Sequence, residues 1–184
     1  MQNKSFYKEF EGTSSGLEWL GSAEGYEEDI FEMMTEIKLF ENFDRVEISA
    51  LCRFLECYAV PRNFTLLKEG DRGDYLLLML NGSVSITKTG PDGSDIALAE
   101  EGVGSILGEM AFVDGTTRFA SCTTTAPTDF AVVTRESFES ILLQMPRLGN
   151  KLLIALFQIS TTRLRFLYQN LINRGLHQPV STLI

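Results

Sequence analysis

From Tyr58 to Val133 the chain sets strong turn signals between short β-type runs, and no other feature restricts its fold so much. Glu69-Gly70-Asp71-Arg72-Gly73-Asp74 separates the run Phe64 to Lys68 from Tyr75 to Leu80, and Asn81-Gly82 predicts a type I′ hairpin into Ser83 to Thr89. Gly90-Pro91-Asp92-Gly93 turns into Asp95 to Ala99, and the runs Phe119 to Thr125 and Asp129 to Thr134 bring the total to roughly eight strands. Strands this short and this closely punctuated pair antiparallel and close on themselves. The predicted fold class is mainly β with flanking helices: a double-stranded β-helix (jelly roll, cupin-like) with N-terminal helices and a long C-terminal helix.

On either side of that stretch the apolar period becomes helical. Residues 1 to 23 read as loosely ordered, and Glu24 to Phe40 reads as a helix carrying Ile30, Met33, Met34 and Ile37 at helical spacing. A second helix is expected from Asp44 as N-cap to about Cys57, with Val46, Leu51, Phe54 and Leu55 facing inward. Beyond Arg135, Glu136 to Gln144 forms a short helix, Pro146 restarts the chain, and Arg147 to about Ile172 forms one long helix. That helix carries two apolar seams. Leu148, Leu152, Leu156 and Ile159 suit packing on the roll, while Leu153, Phe157, Ser160, Leu164, Leu167 and Leu171 follow the heptad rhythm of a helix facing a partner helix. A homodimer through this helix is therefore expected, with a contact to the N-terminal arm as the alternative. The organisation read from the sequence is an acidic arm over 1–36, the roll over 37–145, and a long helix with a short tail over 146–184.

Charge and composition narrow the function. The chain carries a net charge of −9, and its first 36 residues hold nine acids against Lys4 and Lys8, so no basic face for nucleic acid is evident. The acidic arm reads as a solvated helix flanking the domain. Apolar runs such as Tyr75 to Leu80 and Leu152 to Phe157 fall far short of the roughly 20 residues that span a bilayer, and the first residues do not resemble a secretory signal. A cytoplasmic address without membrane contact is expected. Cys52, Cys57 and Cys122 form no CxxC pair and read as reduced and packed. The single histidine, His177, lies in the tail, so neither a metal-cupin ligand set nor a nucleophile's histidine base is available to the roll. No catalytic or metal-binding residue and no cofactor is expected, and the reading is non-enzymatic.

The segment that points to a ligand runs from Gly104 to Ser121. Gly108 can bring backbone close to a ligand, the residues after it can form a helical turn with free N–H groups, Arg118 offers a fork of donors, and Glu109 an acceptor for a sugar hydroxyl or for Arg118. Leu107-Gly108-Glu109-Met110-Ala111-Phe112 followed by Thr117-Arg118-Phe119-Ala120 resembles the phosphate-binding cassette of the cyclic-nucleotide-binding domain family, to which catabolite activator proteins and protein kinase A regulatory subunits belong. Glu69-Gly70-Asp71 and Asn81-Gly82-Ser83-Val84 match the same family's glycine framework.

The resemblance implies that Glu109 binds a ribose 2′-hydroxyl and Arg118 a phosphate oxygen, with backbone from Gly108 through Met110 to Ala111 and at Ala120 completing the phosphate cradle. It places Ile86, Leu98 and Ala99 on the wall beside the base, and Arg163, Leu167 and Tyr168 as a cap over the purine. Where the family carries Ala, Ser or Thr after the arginine, this chain has Phe119, which tilts the ligand towards cyclic AMP, with cyclic GMP the other candidate. The implied protein is a cyclic-nucleotide sensor that signals to an effector protein by moving its C-terminal helices. The alternative is a scaffold on the same fold whose pocket no longer binds. Ile172 to Ile184 are too few residues for a helix-turn-helix, so direct DNA binding is not expected of the sequence as given.

Overall fold

The computed structural model describes residues 16–36 and 42–173. Among the described residues nine strands form two antiparallel sheets: β1 (Glu18–Ser22), β2 (Glu56–Val60), β9 (Thr128–Thr134), β4 (Tyr75–Asn81) and β7 (Ile106–Leu107) in that spatial order, and β3 (Thr65–Leu67), β8 (Ser121–Thr124), β5 (Ser83–Thr89) and β6 (Asp95–Gly102) in the other. The predicted mainly-β roll with flanking helices is what forms.

The apolar run of β4 is explained by burial on both faces. Tyr75, Leu77 and Met79 point into the roll with Tyr58, Leu66, Val84, Leu107 and Phe130, whereas Leu76 and Leu78 point outward beneath the helices. The helices over that outer face are α1 (Glu27–Glu36), α2 (Arg45–Cys52), α4 (Arg135–Gln144) and α5 (Pro146–Asn173); the short α3 (Glu109–Asp114) sits within the roll. Ile30, Ile48, Leu51, Phe138, Ile141, Leu148, Leu152 and Leu156 join Leu76 and Leu78 in the outer cluster. The first seam of the long helix thus packs as the sequence suggests, with Ile159 partly buried against the cluster. Lys151 of α5 donates to Glu47 at 2.5 Å and to the Asn42 carbonyl at 2.7 Å, tying the base of the long helix to the capping box at Asp44.

Several local expectations are corrected. Glu18 to Ser22 is a strand rather than loosely ordered chain: it pairs with β2 at the sheet edge while Leu20 packs on the core, a long-range contact that its Gly- and Ser-rich composition hides. Asn81-Gly82 is no hairpin. β4 pairs with β7 and β9, β5 with β6 and β8, so this turn carries the chain from one sheet to the other. Only Gly82 adopts a positive φ there, +83°, whereas a type I′ turn requires two such residues. The true hairpin is β5–β6, closed by Gly90 donating to the Ser94 carbonyl. α2 ends at Cys52 because Glu56 to Val60 is pulled into the sheet, and Val46, expected inward, is 77% exposed on the first turn's outer side. The sequence reading of one helix from Glu24 begins instead as a 3₁₀ turn, Ala23–Tyr26, ahead of α1. Ile37 to Phe40, the side chain of Met34, and Arg174 to Ile184 with His177 lie outside the described residues. Among the described residues no helix is long and apolar enough to cross a membrane.

Candidate functional site

Gly108 sits between β7 and α3 at φ +83°, and a Cβ there would lie 2.4 Å from Nη1 of Arg118. Glycine is demanded twice, by the backbone angle and by the guanidinium that packs on it. Arg118 is itself held from both sides. Its backbone N–H donates to the Asp71 carbonyl at 2.8 Å and its carbonyl accepts from Gly70 at 2.9 Å, so the 69–74 loop positions the residue. Its side chain is 3% exposed; Nη1 donates to the Gly108 carbonyl and Nη2 to the Tyr75 carbonyl, each at 2.8 Å, and the guanidinium carbon lies 4.5 Å from the Tyr75 ring centroid. Among the described residues its Nε has no partner. A buried, unpaired N–H on a cation costs free energy that an incoming acceptor would recover.

Glu109 opens α3 and is 2% exposed. It does not meet Arg118. Arg163, from α5, donates from Nη1 to Glu109 Oε1 at 2.5 Å and from Nη2 to the Ile106 carbonyl at 2.9 Å, with Glu101 Oε1 3.5 Å from Nη2. The long helix is thereby latched across the mouth of the roll.

Around these groups lies a cavity of about 490 Å³. Its lining contains Gly108, Glu109, Met110 and Ala111, then Arg118, Phe119 and Ala120, the wall residues Ile86, Leu98 and Ala99, and Arg163 and Leu167 of α5. Twelve of the thirteen residues singled out from sequence therefore share one space. Tyr168 is the exception and is exposed outside that lining, because Thr162, Arg163, Phe166 and Leu167 form the helix stripe that faces the cavity and residue 168 has turned away. Arg163, which the resemblance places in the purine cap, has its guanidinium engaged by Glu109 and the Ile106 carbonyl. Sequence reasoning missed Leu67, Leu107 and Cys122 on the floor and Glu100, Glu101, Thr162 and Phe166 at the rim. For Thr162 and Phe166 the signal was present, as positions i−1 and i+3 to Arg163.

Phe119 lines the cavity yet remains 51% exposed, so the ring stands at the rim and does not plug the space. Burial pushes the Cys122 thiol up to about 12, which leaves it an uncharged floor residue at neutral pH. The lining carries three carboxylates, Glu100, Glu101 and Glu109, against Arg118 and Arg163.

A family profile described as cyclic nucleotide-binding domain matches residues 58–145. The crystal structure of a cyclic nucleotide-binding domain from Methylobacillus flagellatus KT superposes with a TM-score of 0.87 at 42% identity, covering 98% of this chain and 100% of that one. The chain belongs to the cyclic nucleotide-binding domain family. The N-terminal domain of a Streptomyces coelicolor A3(2) transcriptional regulator is similar at 27% identity and a TM-score of 0.62, over 72% of this chain and 92% of that one. The CRP-like cAMP-activated global transcriptional regulator of Mycobacterium tuberculosis is 28% identical over 140 residues, 76% of this chain. The present chain spans 61% of that regulator's length.

Proposed function

We propose that this cyclic nucleotide-binding domain is a non-enzymatic cyclic AMP sensor whose output is the placement of its long C-terminal helix. The carrying observation is the unpaired Nε of Arg118 in the wall of a cavity that Glu109 also lines. The unpaired Nε–H, with the first-turn N–H groups of α3 after Gly108, offers donors to the oxygens of a singly charged cyclic phosphodiester. With three carboxylates in the same lining, a doubly charged phosphomonoester is disfavoured. Glu109 offers its carboxylate to a ribose hydroxyl, while Leu98, Ala99 and Ile86 offer an apolar wall to the base. Cyclic AMP is favoured over cyclic GMP because Phe119 brings no hydroxyl to the rim, and because the Mycobacterium tuberculosis relative is described as cAMP-activated.

Signalling in this reading runs through Arg163. A ligand that engages Glu109 changes the carboxylate on which the long helix is latched, and any difference in affinity between latched and released helix shifts their populations. The second seam of α5, exposed at Leu164, Leu167 and Leu171, suits a second copy of the chain, so the sensor acts as a homodimer that hands its signal to an effector protein. The three free, buried cysteines fit a reducing cytoplasm, and direct DNA or membrane contact forms no part of the reading.

Calorimetric titration with cyclic AMP, cyclic GMP and 5′-AMP tests this. Cyclic AMP should bind most tightly, and Arg118→Ala should weaken it at least tenfold, about 1.4 kcal/mol. Equal binding by wild type and mutant would overturn the cassette assignment; no binding by the wild type would leave the scaffold alternative, built on the same exposed seam.

A further inference from the structure

Phe119 is a large apolar ring at the mouth of a pocket, where an exposed side chain ordinarily samples several rotamers. Here one ammonium restrains it. Lys88 Nζ lies 4.3 Å from the Phe119 ring centroid and donates to the Phe119 carbonyl at 2.7 Å. The same Nζ donates to Glu69 Oε1 at 2.7 Å, while Glu69 Oε2 accepts from the backbone of Thr89 at 2.8 Å and the Glu69 amide donates to Ser121 Oγ at 3.0 Å. The end of β5, the loop before β4 and the residues following Arg118 are thus joined around Lys88, which does not itself line the cavity. With one ring face given to the cation, the other is left for a planar group, and nothing polar on Phe119 would select a particular hydrogen-bonding edge.

On the reading that this cavity takes a nucleotide's cyclic phosphate, we infer that Phe119 is a stacking platform for the ligand's base and that Lys88 is the positioning residue that holds the ring in place. The site then recognises a cyclic phosphate carrying an aromatic base through two separable elements: Arg118 and Glu109 for the sugar and phosphate, Phe119 on Lys88 for the ring system.

Separability makes the inference testable on the full chain with two probes, cyclic AMP and the same cyclic ribose phosphate lacking a base. Phe119→Ala should weaken cyclic AMP about tenfold, as loss of a base–aromatic stack does, and leave the base-less probe within about twofold. Lys88→Met, which keeps the stem and removes the charge, should weaken cyclic AMP alone by about two- to fivefold, and Lys88→Arg should restore it. A loss shared equally by both probes in Lys88→Met would overturn the inference by showing that the charge acts on the phosphate. Tighter cyclic AMP binding by Phe119→Ala would overturn it by showing the ring to be an obstruction. Wild type that binds both probes alike would remove the stack but keep the nucleotide reading, whereas wild type that binds neither would remove both.

Discussion

The two halves of the long helix share a composition and differ in fate. Through Leu156 its inner face is buried, with Leu148, Leu152, Ala155 and Leu156 locked into the outer core; from Leu164 onward Leu164, Phe166, Leu167, Leu171 and Ile172 are all exposed. Leucine content does not distinguish them. What differs is the neighbour: the first half lies on α4 and the outer face of the large sheet, the second overhangs the mouth of the roll, where Arg163 ties it to Glu109 and the Ile106 carbonyl. A helix built this way is a footing at one end and a lever at the other, and the latch is placed where footing becomes lever.

Stability separates the two halves most directly. Leu156→Ala should cost about 2 to 5 kcal/mol of unfolding free energy, whereas Leu167→Ala, measured at a concentration where the chain is monomeric, should cost less than about 0.5 kcal/mol, as read from denaturant midpoints at equal slope. Similar losses in the monomer would mean that the second half packs on its own domain. Arg163→Ala comes next: it leaves the buried Glu109 carboxylate without its cation and should destabilise by roughly 1 to 3 kcal/mol, with faster amide exchange confined to the helix beyond Ser160. Exchange rising equally along the whole helix would erase the distinction between footing and lever. Leu164→Glu should leave the unfolding midpoint of the isolated chain unchanged within about 0.5 kcal/mol but shift light-scattering mass from dimer to monomer, sharpening what the exposed half is for. The smallest effect concerns pH. The Lys88 ammonium hydrogen-bonded to Glu69, helped by the Thr89 backbone, holds that carboxyl below its ordinary 4.5. A lowered value means the contribution is present above pH 4.5 and lost as pH falls through the folded-state value. Resonances of the Phe119 ring should therefore move only below that point, and should not follow the same titration in Lys88→Met.

Much of the fold was legible because its signals are local. Turn dipeptides, the two-residue alternation of strands and the 3.6-residue spacing of helices each act within a few residues, which is why β4, β5, α4 and the first seam of the long helix are readable from the sequence. The failures share a different cause. β1 exists because β2 offers it an edge, Asn81-Gly82 crosses between sheets because β4 and β5 find other partners, and Val46 is exposed because α2 stops where Glu56 joins the sheet. The cassette residues gathered around one cavity as the string suggested, but Glu109 met a partner 54 positions away rather than the arginine nine positions on. Tyr168 missed the cavity because one residue on a helix is a rotation of about 100°.

The chemistry available at the site is written in the string alone: one glycine able to adopt a left-handed turn, one acid, one guanidinium and an apolar surround, specific enough to name a family. Which group holds which is settled by folding. Arg118 is satisfied by two carbonyls and left with Nε unpaired, Glu109 is claimed by Arg163, and the Phe119 carbonyl and ring lie against Lys88, 31 residues earlier in the chain. Those partners are brought within hydrogen-bonding reach by sheet pairing and helix packing, and such contacts depend on distances that close only when the whole roll does.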